Sequence, residues 1–225
     1  MQKAVELAEA GSPSETVVVA REQTAGQGRF GRSWHSEPGS GLYLSQLLRL
    51  KICADSLPLV TLAIGLAVAE AIASSANVSP DLRWPNDVLL NGRKCAGILV
   101  QLHGPVLVAG IGINVNHRSF PAELSPSATS LRIETGRGHN VEVVLSALLS
   151  AMRDHLERLK RDGREPVLRA FSHASSYVRG RRVVVDQGGT ELAGVTEGLD
   201  PQGFLIVRQE NGKRTLILAG GVRPA

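Results

Sequence analysis

Apolar positions along the chain recur in blocks of two different periods. From Gln2 to Ala10, Ala4, Val5, Leu7 and Ala8 fall at helical spacing and the turn-formers Gly11 to Ser14 end the pattern, which predicts a short opening helix. Thr16 to Ala20 is a β-branched run that predicts a buried strand, and it leads into a glycine-rich segment, Ala25 to Trp34. Gly41 to Leu50 predicts another strand, and the Ala- and Leu-rich run Leu57 to Ser74 a largely buried helix. Strands at Asp87 to Leu90 and Cys95 to Gln101 flank Asn91-Gly92, a pair suited to the positive φ angles of a tight hairpin turn. Val106 to Asn114 predicts a further strand, Asn116 to Ser130 a surface loop, and Val141 to Leu159 an amphipathic helix with a basic end.

From about Tyr177 the period shortens. Arg182 to Asp186, Thr190 to Glu197, Phe204 to Arg208 and Arg214 to Leu218 read as short strands between Gly-Gly, Asp-Pro-Gln-Gly and Asn-Gly turns, the pattern of a small β-barrel. The expected organisation is α+β: a mixed-sheet domain with packed helices over residues 1–176 and a small β domain over 177–225.

Composition narrows the class. With 225 residues, 43% hydrophobic and 20% charged, the chain can bury a sizeable core. Its two cysteines, Cys53 and Cys95, have no disulfide-framework or zinc spacing, so a reducing compartment is expected. No leader pattern opens the chain and no uninterrupted apolar stretch suggests a membrane span, so a cytoplasmic protein is expected. A net charge of +4 is mild for a nucleic-acid binder, and the basic residues that matter sit in one glycine-rich segment.

Four segments could carry chemistry. Gln23-Thr-Ala-Gly-Gln-Gly-Arg-Phe-Gly-Arg-Ser-Trp34 combines glycines that admit a ligand close to the backbone with two arginines whose forked donors suit carboxylate or phosphate. It lacks the Gly-Lys-Ser/Thr end of a Walker loop and is a poor dinucleotide fingerprint. In Arg83-Trp-Pro-Asn-Asp-Val88, Asn86 and Asp87 follow a rigid Trp-Pro step, and Asp87 is a candidate Mg²⁺ ligand beside phosphates. Lys94 opens the apolar strand of Gly92-Arg-Lys-Cys-Ala-Gly-Ile-Leu-Val100, where an ammonium could neutralise charge developing on a carboxylate and phosphate. Gly110-Ile-Gly-Ile-Asn-Val-Asn116 ends a strand with small residues and Asn114, an amide able to meet phosphate or metal-bound water. Taken singly, a surface turn, a capped turn, a solvated strand-end lysine and a satisfied asparagine fit the same segments.

Together and in this order, the four resemble the biotin protein ligase family over nearly the whole chain. The family's glycine-arginine loop is similar to Gly26-Gln-Gly-Arg-Phe-Gly-Arg-Ser-Trp34, its Lys-Trp-Pro-Asn-Asp motif to Arg83-Trp-Pro-Asn-Asp87, its Lys-x-x-Gly-Ile-Leu motif to Lys94-Cys-Ala-Gly-Ile-Leu99, and its Gly-x-Gly-x-Asn segment to Gly110 to Asn114. The resemblance implies a class II synthetase-like catalytic sheet with an SH3-like C-terminal module, and activation of biotin by ATP with Mg²⁺ to biotinyl-5′-AMP. A lysine of a biotin carboxyl carrier protein would then receive the biotin. Gln23, Gly26, Gln27, Gly28, Arg29, Trp34, Lys94, Gly97 and Gly112 would line the biotin site. Arg29, Arg32, Trp34, Asn86, Asp87, Lys94 and Asn114 would serve ATP, with Lys94 and Arg29 the catalytic pair.

Three departures accompany the resemblance. Gln27 stands for a commoner arginine, and Arg83 for a lysine. The family's Ser-Thr-Asn biotin-binding strand would lie before Met1, and it is expected upstream. Other readings are a lipoate or octanoate transferase of the same fold, whose Gly-Gly-Gly-Ala segment and cysteine-lysine pair are not found, and an impaired biotin-binding or regulatory protein. No nucleic-acid or membrane partner is expected, and a homodimer through an exposed sheet edge fits the class.

Overall fold

The computed structural model describes residues 1–50 and 57–225; Cys53 lies outside the described residues. The first sheet is built from β1 (Val17–Ala20), β2 (Gly41–Leu48), β3 (Asp81–Arg83), β4 (Asp87–Leu90), β5 (Arg93–His103) and β6 (Val106–Asn114), in the order β1-β2-β6-β5-β4-β3. Every neighbouring pair is antiparallel. The β4–β5 hairpin closes at Asn91 (φ 48°) and Gly92 (φ 75°), as the Asn-Gly pair predicts.

β2 is buried at all eight positions because both faces of the sheet are covered there. On one face Leu42, Leu44 and Leu48 pack with α2 (Leu57–Ala76), α4 (Val141–Asp162) and α5 (Arg164–Ala174) in the main core. On the other, Leu47, Val106 and Val108 bury Ala4 and Ala8 of α1 (Gln2–Glu9). Next to α1, this second face is left open, and the candidate site occupies the opening.

α2 is the largely buried helix expected, but it qualifies the reading that no stretch suggests a membrane span. By length and composition it would cross a bilayer, with a mean hydropathy of 1.9, yet most of it is buried as the central helix of the core. β1 corrects one expectation: it is an edge strand, and Val19 is 49% exposed. A β-branched run marks a strand, but burial depends on its place in the sheet. The loop between β6 and α3 (Leu131–Thr135) is anchored inward at both ends, with His117, Thr129 and Ser130 fully buried. Ser130 caps α3 by accepting from Ile133 N. Asn140 likewise caps α4, and Gly163 (φ 75°) ends it.

The second sheet contains β7 (Arg179–Asp186), β8 (Glu191–Leu199), β9 (Leu205–Arg208), β10 (Arg214–Ile217) and β11 (Gly221–Pro224), in the order β10-β9-β8-β7-β11. It is an antiparallel sheet with β10 and β11 at its edges; among the described residues no ladder joins these two to close the expected barrel. Val183, Val185, Leu205, Val207, Ile217 and Val222 bury one face in the same core as the first sheet. Trp84 Nε1 donates to Gly203 O at 2.9 Å, a buried bond between the Trp-Pro step and the second sheet.

Candidate active site

The floor of the site is made of glycine. β5 and β6 place Gly97 opposite Gly112 and Leu99 opposite Gly110. A Cβ on Gly112 would lie 2.6 Å from Trp34 Cε2, one on Gly97 2.8 Å from Trp34 Cζ3, and one on Gly110 2.5 Å from Met1 Sδ. Side chains on this strip would fill the space that the indole and the methionine now occupy. Replacing Gly112 with alanine should therefore lift Trp34 off the sheet. The expected destabilisation is at most about 1–3 kcal/mol, the usual cost of overpacking, because Trp34 sits on a loop that can give. Tryptophan emission should shift to the red; since Trp84 is buried elsewhere, an unchanged spectrum would mean that the indole does not rest on Gly112.

The glycine-arginine loop forms a flap over this floor. Gly28 N donates to Arg32 O, Trp34 N donates to Gly26 O at 2.9 Å, and Gln27 bridges Ser33, so the loop folds on itself as a short antiparallel turn. At its tip a single 3₁₀ turn at Arg29–Gly31 carries Phe30 in the left-handed region (φ 57°) and 57% exposed. Gly26 is confined: a Cβ there would meet Trp34 O at 2.6 Å and Gln23 Oε1 at 2.8 Å.

Two cavities meet under the flap. A cleft of about 470 Å³ is lined by Gln23, Gln27, Gly28, Arg29, Trp34, Asn86, Lys94, Gly97 and Gly112, with Met1, Ser45 and Gly110. The second cavity, about 510 Å³ and mostly apolar, is bounded by Trp34, His35, Lys94, Asn114, Phe120, Leu124, Ser127 and Ala128. Trp34 and Lys94 belong to both, and the Lys94 ammonium lies 5.4 Å from the indole ring centre. Lys94 is fixed through its backbone to the far wall: its N donates to Ser127 O at 2.7 Å and its O accepts from Thr129 N at 2.9 Å.

Beneath Lys94 lies a buried carboxylate. Asp87 Oδ1 stands 2.5 Å from Lys94 Nζ, an ion pair without the geometry of a directed hydrogen bond, while Oδ2 accepts from Arg83 Nη2 at 2.7 Å and Nε at 3.2 Å. Burial by itself would raise the Asp87 pKa, but the adjacent Lys94 and Arg83 outweigh it and hold the carboxyl below its ordinary value. Arg29 donates from Nη1 to Asn86 Oδ1 (3.1 Å) and Gly220 O (3.3 Å), both neutral acceptors. Its pKa is lowered, chiefly by burial, against the attraction of Asp87. Asn86 is itself held by Ile98, donating from Nδ2 to Ile98 O and accepting at its own carbonyl from Ile98 N.

Of the expected site residues, one faces away from the cleft and another is already engaged by cations. Arg32 turns away from the cleft and pairs with Asp186 at 3.0 Å, its side chain 67% exposed, so it ties the flap to the second sheet. Asp87 has both oxygens engaged by cations, and among the described residues no cluster of three His, Cys, Asp or Glu is placed to hold a metal. Both oxygens therefore already face positive charge, which disfavours Mg²⁺ there. Asn114 is buried and donates to Thr129 O at 3.0 Å at the edge of the apolar cavity.

One wall of the apolar cavity comes from Asn116 to Ser130, a stretch expected as surface loop. Phe120 and Leu124, large apolar residues four apart in a polar stretch, were the available signal. Phe120 stacks on buried His117 (5.1 Å, 16°) and meets His35 edge-on (5.9 Å).

The fold and site define an α+β ligand-binding protein in which a basic flap closes on a glycine-floored cleft with a lysine at its junction. Residues 2–117 match the biotin/lipoate A/B protein ligase family, and residues 179–222 match the biotin protein ligase C-terminal domain. The bifunctional ligase/repressor BirA of Bacillus spizizenii is 33% identical over 221 residues, 95% of this chain and 68% of that protein. The biotin--[acetyl-CoA-carboxylase] ligase of Mycobacterium tuberculosis is 34% identical over 91% of this chain and 77% of its own length. The biotin protein ligase of Aquifex aeolicus, solved in complex with biotin and ATP, superposes with a TM-score of 0.88 at 32% identity, covering 98% of this chain and 94% of that one. The chain belongs to the biotin protein ligase family.

Proposed function

We propose that the protein activates biotin with ATP to biotinyl-5′-AMP and transfers the biotinyl group to a lysine of a biotin carboxyl carrier protein. The observation that carries this reading is the junction of the two cavities at Lys94, beneath a flap that brings Arg29 to the same cleft. The glycine-floored cleft suits a slender bicyclic acid approaching the sheet backbone. The apolar cavity suits a purine ring, with Trp34 between the two.

A biotin carboxylate oxygen attacks the α-phosphorus of ATP, the bond to pyrophosphate breaks, and the mixed anhydride forms at Lys94. The ammonium offsets charge growing on the phosphoryl oxygens, as does Arg29. The neutral amine of the acceptor lysine then attacks the acyl carbon and AMP leaves. No covalent enzyme nucleophile is required. The flap keeps water from the anhydride between the two steps. Mg²⁺ bound with ATP would supply charge neutralisation to the phosphates, but Asp87, with a cation on each oxygen, does not fit as its ligand.

The protein so read has its domain boundary near residue 176, works in the cytoplasm, and takes a carboxylase carrier as partner without nucleic acid or membrane. The half-exposed edge at β1 offers a surface for a homodimer. Purified protein with ATP, Mg²⁺ and biotin should catalyse biotin-dependent exchange of pyrophosphate into ATP and label a carrier domain. Absence of exchange rejects the ligase reading, whereas exchange with octanoate or lipoate in place of biotin would favour the related transferases.

A further inference from the structure

Arg83 stands where the family motif has lysine, and its surroundings give it a task. β3 and β4 set Arg83 directly opposite Asp87, and the guanidinium grips Oδ2 with two N–H groups. Oδ1 is left to Lys94. The β4–β5 ladder shifts register between Val88 and Leu89, which puts Lys94 opposite Leu89 and within reach of the same carboxylate. One buried carboxylate thus holds two cations, one on each oxygen. Of the two, only Lys94 lines the cavities.

We infer that Arg83 is a positioning residue for Lys94 that acts through Asp87, and that Asp87 serves this ion triad in place of a metal. For what Lys94 does chemically, the inference rests on the ligase reading above; the triad itself does not depend on it. A planar guanidinium held by two bonds fixes the plane of the carboxylate, so Oδ1 presents itself in one direction. An ammonium is a compact point charge that would otherwise settle across both oxygens. Engaged by one oxygen only, Lys94 keeps its amine at the junction of the two cavities. Without Arg83 it shifts toward the vacated Oδ2, away from the junction of the cavities. The same occupancy disfavours Mg²⁺, whose oxygen ligands sit at about 2.1 Å: both Asp87 oxygens already face positive charge.

The test compares Arg83→Gln and Arg83→Lys in the full chain, with Arg83→Met serving the same comparison should the glutamine variant not fold. The first readout needs no catalysis: the rate at which a water-soluble acetyl-N-hydroxysuccinimide ester acylates Lys94 in ligand-free protein, followed by peptide mass spectrometry. Lys94 should label severalfold more slowly in Arg83→Gln than in wild type, and Arg83→Lys should restore most of the rate. Equal labelling in all three proteins overturns the inference whether or not the protein is a ligase.

The second readout is pyrophosphate exchange. Arg83→Gln should lower kcat by on the order of tenfold, a modest share of what misplacing a reacting group can cost, with the KM values for biotin and ATP nearly unchanged. Unchanged kcat per folded molecule overturns the inference. Asp87→Asn should reach half its maximal rate at the Mg²⁺ concentration that wild type needs; a large increase in that requirement returns Asp87 to the metal. Wild-type protein inactive in exchange would instead reject the ligase reading and leave the labelling result to decide the triad.

Discussion

Replacing Lys94 with alanine should slow biotin-dependent pyrophosphate exchange by on the order of 100- to 1000-fold, the range seen when one preorganised donor to a developing charge is lost. The fold should survive. Lys94 is partly open to the cleft, and its removal leaves Asp87 still paired with both N–H groups of Arg83. Cutting one of two cations from a buried carboxylate should destabilise by about 1–3 kcal/mol, less than stripping a buried ion of its only partner. Acid unfolding gives a second signature. Asp87 is held below its ordinary pKa in the folded protein, so its contribution is present above the unfolded pKa and disappears as pH falls through the folded value. Removing Lys94 raises that folded value, and the acid limb of the stability curve should begin at higher pH. Exchange kinetics and urea melts between pH 3 and pH 7 check both; loss of rate in proportion to loss of folded protein would make Lys94 a structural residue.

The parts of this molecule legible in the sequence are those governed by local chemistry. Asn91-Gly92 specified its turn through backbone conformation alone, and the strands on either side followed from alternation. The small residues of Gly110 to Asn114 pointed to close approach at a strand end, whereas Gly97 entered only through the family resemblance; an added Cβ at Gly97, Gly110 or Gly112 would meet Trp34 or Met1. Contacts over long sequence separations were not legible. Arg29 bonds Gly220 and Arg32 bonds Asp186, partners more than 150 residues away, so nothing near the loop separated the arginine facing the cleft from the one facing the second sheet. Asp87 shows the same limit. Its position after Asn86 suggested a metal ligand, and only the pairing of three adjacent strands reveals that two cations already occupy it.

Arg29→Ala should let the adenylate escape. The guanidinium is half-buried, its hydrogen-bond acceptors are the neutral Asn86 Oδ1 and Gly220 O, and burial depresses its pKa against the attraction of Asp87. A half-buried cation bonded only to neutral oxygens, with Asp87 acting on it through space, can take a phosphate anion as a direct charged partner. Charge-assisted hydrogen bonds contribute about 1.5–3 kcal/mol, so adenylate release should accelerate by roughly 10- to 100-fold. The flap would loosen as well. Among the described residues, losing the bond to Gly220 leaves the flap tied to the second sheet by Arg32–Asp186, an exposed pair of the kind that contributes little. Formation of the adenylate should suffer less than its retention, because Lys94 stays in place. The check is rapid gel filtration of enzyme loaded with labelled biotin and ATP, timing the loss of bound adenylate, together with biotinylation of bystander lysines by the released anhydride. Unchanged retention would make Arg29 a strut between Asn86 and Gly220 with no phosphate role. Faster release without bystander labelling would mean that the anhydride is hydrolysed before it leaves, which would put the variant's defect in water exclusion by the flap.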